Sequence, residues 1–204
     1  KYISEKDNGL YDAMNKGVKM STGDIIGIIN SDDMLASNNV FEDVVKTIER
    51  DNSDGVYGDL VYMNNNFTTP VRNFISGNKT KRSTWHPTHP TLYLRKSVYD
   101  KIGSYNTNYR IAADLDFMLR VVHSGTNLSY IRKYLVLMRA GGVSSNGLKG
   151  YYKNYRESNM VLKNNNISFP YLINILRIFK TINQGISAKI FKEKIMKKIN
   201  DYKL

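Results

Sequence analysis

The chain has 204 residues, 41% hydrophobic and 24% charged, a globular balance that excludes a disordered polymer and fits one domain with a buried core plus an appendage. It contains no cysteine, which rules out disulfides and thiolate metal sites and is compatible with a reducing compartment, and no apolar run approaches the ~18 residues of a membrane-spanning helix. The net charge of +12 is uneven: from residue 150 onward eleven Lys or Arg stand against three acids, so the tail carries +8.

The chain opens on Lys1 and enters a functional-looking stretch at once, so its beginning is expected to be cut. Residues 10–20 (LYDAMNKGVKM) read as a short helix and residues 21–24 as a turn. Ile25-Ile26-Gly27-Ile28-Ile29 is an unbroken apolar run, the pattern of a central strand buried on both faces of a parallel sheet. It ends in Asn30-Ser31-Asp32-Asp33. Val40, Phe41, Val44, Val45 and Ile48 then recur at helical spacing, with Ser37 or Asn38 as the expected N-cap. Residues 55–63 and 71–76 read as strands around the polar turn Asn64-Asn65-Asn66, residues 91–94 as another strand, and residues 96–102 as a helix stopped by Gly103. Residues 112–124 give a second helix, with Leu115, Met118, Leu119 and Val122 on one face and Gly125 as its stop. Strands and helices in this alternation predict an α/β layered fold.

Open α/β sheets bind ligands at the carboxyl ends of their strands, where Asp32 and Asp33 fall. Two adjacent carboxylates repel, which favours a hard divalent cation such as Mg²⁺ or Mn²⁺ bridging phosphates; the alternative is that one of them caps the next helix. Ser4-Glu5-Lys6-Asp7-Asn8-Gly9-Leu10-Tyr11-Asp12-Ala13-Met14-Asn15-Lys16-Gly17, Thr22-Gly23-Asp24-Ile25-Ile26-Gly27 and Asn30-Ser31-Asp32-Asp33 together resemble family 2 glycosyltransferases, most of all the bacterial polysaccharide-assembly type. The resemblance covers residues 2–145. It implies a GT-A fold, a Rossmann-like mixed sheet flanked by helices, spanning residues 1–146 and lacking an N-terminal nucleotide-binding segment. Residues 147–204 would form a basic helical extension.

That resemblance implies transfer of a sugar from a nucleoside-diphosphate donor to an acceptor hydroxyl, inverting and metal-dependent, in the making of O-antigen, capsule or exopolysaccharide. Asp32 takes the place of the metal ligand, with Asp33 beside it, although the family's first acidic position is Asn30 here. Asp7, Gly9, Asn15 and Lys16 fall where relatives line the nucleotide. Gly9 reads equally as a turn glycine and Lys16 equally as a surface lysine. The catalytic base must be a carboxylate that takes the acceptor proton. The resemblance assigns it to Asp114, in Ala113-Asp114-Leu115-Asp116-Phe117-Met118-Leu119-Arg120, where Ala113 replaces the usual Glu. An Asp in a first helical turn also suits the helix dipole without any catalytic duty. Asp116 lies on another face of the helix and reads as structural or acceptor-side.

Trp85-His86-Pro87-Thr88-His89-Pro90 offers an aromatic face and imidazoles, and places Trp85 and His89 on the sugar and acceptor side. Without cysteine or a third nearby histidine, no zinc site is expected there. Arg139-Ala140-Gly141-Gly142-Val143-Ser144 resembles a loop that closes over donor phosphates, or is a plain glycine loop. In the tail, Leu172, Ile175, Leu176, Phe179, Ile186, Ile190, Ile195 and Ile199 recur at helical spacing among lysines. This fits either a helix lying on an anionic membrane or a helical cap with a solvated lysine face. The expected partners are a nucleotide-sugar and a saccharide or lipid-linked saccharide acceptor, with no nucleic acid, at the cytoplasmic side or inner membrane face. Two other readings stand beside this one: a sugar nucleotidyltransferase, and an inactive truncated remnant held to membranes by its basic tail.

Overall fold

A mixed six-stranded sheet carries the fold in the structure, a computed structural model that describes residues 2–80, 84–141 and 147–201. Its strands are β1 (Ile25–Gly27), β2 (Met34–Leu35), β3 (Gly55–Met63), β4 (Pro70–Phe74), β5 (Tyr93–Arg95) and β6 (Leu128–Arg139). They lie in the order β1-β5-β3-β6-β2, with β4 paired to β3. Helices α1 (Leu10–Met20), α2 (Val40–Arg50), α3 (Lys96–Ile102), α4 (Ala113–His123), α5 (Gly147–Asn164), α6 (Pro170–Ile190) and α7 (Lys192–Asp201) flank the sheet. β3 and β6 run parallel from Gly55↔Leu128 to Met63↔Arg139, and the other pairings among the described residues are antiparallel.

The strand buried on both faces is β3. Val56 and Tyr57 project to opposite sides of the pleat and enter different cores. Tyr57 joins Tyr11, Leu94, Phe117, Leu119 and Leu162, while Val56 joins Val40, Val44, Ile48, Leu60 and Leu135. The run at residues 25–29 behaves differently from the expectation. It gives the three-residue β1 at one end of the sheet, antiparallel to β5, and Ile28 and Ile29 leave the strand. An apolar run does not reveal which strand will neighbour it, so centrality was not encoded there. Gly27 is fixed by close approach: a Cβ at that position would stand 2.3 Å from the ring of Tyr93. The α2 N-cap is Asn39, one or two residues later than expected and without a side-chain cap bond.

The tail divides. α5 places Val161 and Leu162 in the core with Phe117, and α7 buries Ile195 and Ile199 against Val61, Met63 and Leu137. α6 is inverted. It turns Asn174 and Gln184 inward, 5% and 8% exposed, while Leu172, Ile175, Leu176, Phe179, Ile182, Ile186 and Ile190 are each between 42% and 68% exposed. A cap with its apolar side packed down describes α7 and not α6. Among the described residues no helix is long and apolar enough to cross a membrane.

Candidate active site

Asp32 and Asp33 stand in the turn after β1. Asp33 is half-buried; its Oδ2 accepts from Asn30 Nδ2 at 2.7 Å and its Oδ1 from the Arg139 N–H at 3.2 Å, which fastens the turn to the end of β6. Burial, with the charge of Asp32 added, holds the Asp33 carboxyl above the usual carboxylate range against the pull of those two donors. Asp32 is exposed beside it. Among the described residues no three or more His, Asp or Glu side chains gather as a metal cage, so the protein offers this pair.

Asp114 lies in the first turn of α4, and that turn is held by the neighbouring helix. Glu157 of α5 accepts the backbone N–H groups of Arg110, Ile111 and Ala112 on one oxygen, at 3.0, 2.7 and 3.1 Å. The Tyr11 hydroxyl donates to the Ile111 carbonyl at 2.6 Å and touches Asp114 Oδ1 at 3.2 Å. Burial and the Asp114 charge push the Tyr11 phenol far above its ordinary value, so it stays protonated. Oδ1 also accepts the Leu115 N–H at 2.8 Å. Both contacts of Asp114 fall on Oδ1. Burial raises the pKa of the Tyr62 phenol on β3, which also feels the charges of Arg72, Asp114 and Asp33. Its ring carries the Arg72 guanidinium 4.4 Å from its centroid.

His89 is buried and shares a 2.7 Å hydrogen bond between Nε2 and the Tyr105 hydroxyl. Burial lowers its pKa, so the imidazole is neutral. Tyr105 in turn stacks on Tyr11 at 5.9 Å. His89 therefore braces Tyr105, whose ring supports the Tyr11 that touches Asp114. Trp85 packs edge-on to Tyr57 at 5.2 Å, with its Nε1 3.4 Å from the Ser76 carbonyl, so much of its ring is spent on the core.

Other expected contacts are corrected by their partners. Asp116 is buried, its Oδ2 paired with Arg120 at 2.9 Å and its Oδ1 bonded by Asn165 at 3.1 Å. It pins α4 to α5 and leaves nothing for an acceptor, while Arg120 goes on to bond the Ile102 and Ser104 carbonyls. Asn15 uses both ends of its amide on the backbone of Tyr105, at 2.9 and 2.8 Å, which docks α1. Lys16 is neutralised by Glu5, Asp7 and Asp12 at 2.6, 2.9 and 3.5 Å, which also occupies Asp7. Gly9 begins α1 at φ 128°, a left-handed conformation that glycine adopts without strain, so its turn role is the structural one. Of the loop expected over donor phosphates, residues 142–144 lie outside the described residues. The sequence reading missed Tyr11, Tyr62, Arg72, Glu157 and Arg177, which come from five separate elements and share no spacing that a motif could expose.

A half-buried carboxylate at a helix start and a paired-carboxylate turn at a strand end are groups that a transfer enzyme acting on a charged donor can use. The family model described as glycosyl transferase family 2 matches residues 1–105, and the chain belongs to glycosyltransferase family 2. It is 31% identical over 147 residues to the PGL/p-HBAD biosynthesis glycosyltransferase of Mycobacterium bovis (strain BCG / Pasteur 1173P2), a match covering 69% of this chain and 55% of that one. An uncharacterized glycosyltransferase of Mycobacterium tuberculosis (strain ATCC 25618 / H37Rv) is 28% identical over 126 residues, covering 57% of this chain and 45% of its own. The chain thus spans about half the length of the curated relatives it matches. Among solved structures, that of S. aureus TarS 1-349 aligns with a TM-score of 0.49 at 14% identity, over 82% of this chain and 48% of that chain.

Proposed function

We propose that the chain moves a sugar from a nucleoside diphosphate to an acceptor hydroxyl with inversion, Asp114 acting as general base and a divalent cation seated at Asp32 and Asp33. The observations that support this are the Asp33 turn tied to the end of β6 through the Arg139 N–H, and Asp114 held on one oxygen by Tyr11 and the Leu115 N–H at the start of α4. Asp114 suits the role. Its Oδ1 is anchored by the Leu115 N–H and Tyr11, so Oδ2 is the atom to take the acceptor proton as the hydroxyl oxygen attacks the anomeric carbon.

The cation fits the donor set. Asp32 is exposed, and Asp33 is a carboxyl whose ionisation burial and a like charge disfavour, so a positive charge there relieves both. Two carboxylates, with water and phosphate oxygens completing the shell, are the usual ligands of Mg²⁺. Bound there, the cation would offset the charge that develops on the departing diphosphate.

The acceptor of this reading is a bacterial surface saccharide presented at a membrane. The PGL/p-HBAD biosynthesis relatives support a glycoconjugate acceptor. The outward apolar face of α6, next to Lys180, Lys189, Lys192 and Lys194, supports an anionic bilayer as the surface on which it is met.

The test is a thermal-shift panel of UDP, GDP, CDP and dTDP, each with Mn²⁺ or with EDTA, on wild type, Asp32→Asn and Asp114→Asn. One nucleotide should stabilise wild type by about 2.7 kcal/mol at a hundred times its dissociation constant, and only with metal. Asp32→Asn should lose that shift. Asp114→Asn should keep it while turnover falls by about 10²–10⁴. A folded protein that no nucleotide stabilises would remove the donor site from this reading.

A further inference from the structure

Three cations gather where α6 packs along β4, and no ion pair among the described residues involves any of them. Arg72 of β4 lies between the rings of Tyr62 and Phe74, 4.4 and 5.9 Å from their centroids, and its Nε donates to Gln184 Oε1 at 2.8 Å. Lys180 precedes Gln184 by one helical turn and carries its Nζ 4.9 Å over the same Phe74 ring. Arg177 precedes Lys180 by three residues and turns inward, and its Nη1 is buried with no hydrogen-bond partner. α6 packs along β4, so Arg177 and Gln184 lie on the inner polar face of the inverted helix, with the exposed Lys180 at its edge.

The three positive charges oppose one another. Burial, then the Arg72 charge, works against protonation of Arg177, and Asp114 is the one carboxylate that opposes this. Burial, then the charges of Arg177 and Arg72, does the same to Lys180. A guanidinium with a buried, unbonded N–H and two like charges around it is costly as it stands. The cost vanishes when an anion with several acceptor oxygens enters. The fork of an arginine matches a phosphate edge-on with two parallel hydrogen bonds, and a lysine adds a movable point charge.

We propose that Arg177, Arg72 and Lys180 form a receptor for a phosphate group carried by a substrate. The meaning of the site for catalysis rests on Asp114 being the base; the binding does not. The turn at Asp32 and Asp33 calls for a cation and this second centre calls for an anion, so the cleft is bipolar. The phosphate belongs either to the acceptor, as in a phosphorylated saccharide or a lipid phosphate, or to the donor diphosphate.

The probe is methyl phosphate, titrated into the full chain by ³¹P NMR with neither nucleotide nor metal present. Wild type should bind it, more weakly as salt rises. Arg177→Met should bind about tenfold more weakly or worse, and Arg177→Lys should recover part of the loss. Melting curves establish that each variant is folded; if Arg177→Met does not fold, Arg72→Gln and Lys180→Gln take its place and should each weaken binding severalfold. A second titration adds saturating UDP and Mn²⁺. Methyl phosphate that stays bound assigns the receptor to the acceptor, and methyl phosphate that is displaced assigns it to the donor diphosphate. Wild type that ignores methyl phosphate, or folded variants that all bind it as wild type does, would overturn the proposal. Asp32→Asn that loses UDP but keeps methyl phosphate separates failure of the donor site from failure of this one.

Discussion

Glu157 Oε2 accepts the Ile111 N–H at 2.7 Å, and through it α5 holds the first turn of the helix that carries Asp114. The same oxygen takes the flanking N–H groups of Arg110 and Ala112. A negative charge at a helix start also complements the helix dipole. Glu157→Ala leaves three backbone donors unbonded and is expected to cost about 2–3 kcal/mol in urea unfolding. Glu157→Gln keeps an acceptor and loses the charge, so about 1 kcal/mol is expected. Turnover should fall in both variants, because the turn that aims Asp114 loosens, while nucleotide affinity at the Asp32 turn is unchanged.

His86 makes stability pH-dependent. Burial, then the charges of Arg177 and Lys180, takes its pKa from the ordinary 6.5 down to about 3, against the pull of the Pro87 carbonyl. Between those values the unfolded chain binds a proton that the folded one refuses, so stability falls as pH drops from 6.5 toward 3. His86→Gln should flatten the slope of unfolding free energy against pH in that window. Arg177→Met, by removing a repelling charge, should also flatten it in part.

What the sequence showed, it showed through local signals. α1, α2, α4 and the pair α3–Gly103 came from helical spacing and a glycine stop, and β3 from the polar turn that follows it. β6 was missed because Arg132 and Lys133 break its alternation, and it is specified mainly by its parallel partner β3. Asp32, Asp33 and Asp114 were singled out by the family resemblance and by their places after a strand and in the first turn of a helix. The partners of Asn15, Lys16 and Asp116 were not legible for one cause: each is polar, and each is bonded by a partner far along the chain or by a local cluster of acids. The Arg177 centre was invisible for the converse reason, since a cation inside an apolar helix looks like one more member of a solvated face.

Asp33 bears on stability with the opposite sign from His86. Its carboxyl is held above the ordinary range, so over that interval the folded chain keeps a proton that the unfolded chain has released. Stability therefore declines as pH rises through the interval, and the penalty persists at neutral pH. Asp33→Asn should remove it, raising the midpoint of thermal unfolding at pH 7, while the metal-dependent shift given by a nucleotide is lost. Mn²⁺ alone should raise the midpoint of wild type and not that of the variant.

The outer face of α6 can be tested by its lipid dependence. Leu176 and Phe179 are exposed, so glutamate at both positions removes apolar surface from water and breaks no packing. Each of the nearby lysines contributes about 1 kcal/mol near an anionic surface, whereas a second copy of this chain would bring the same positive charges into contact. Wild type is expected to float with vesicles containing phosphatidylglycerol and to stay behind with pure phosphatidylcholine. L176E/F179E should remain folded and fail to float in either case. Flotation equal to wild type in that variant would take the membrane contact away from α6. A wild-type dimer that the two substitutions split would instead show that α6 is covered by its own copy, and the like charges would then have to be kept apart in that interface.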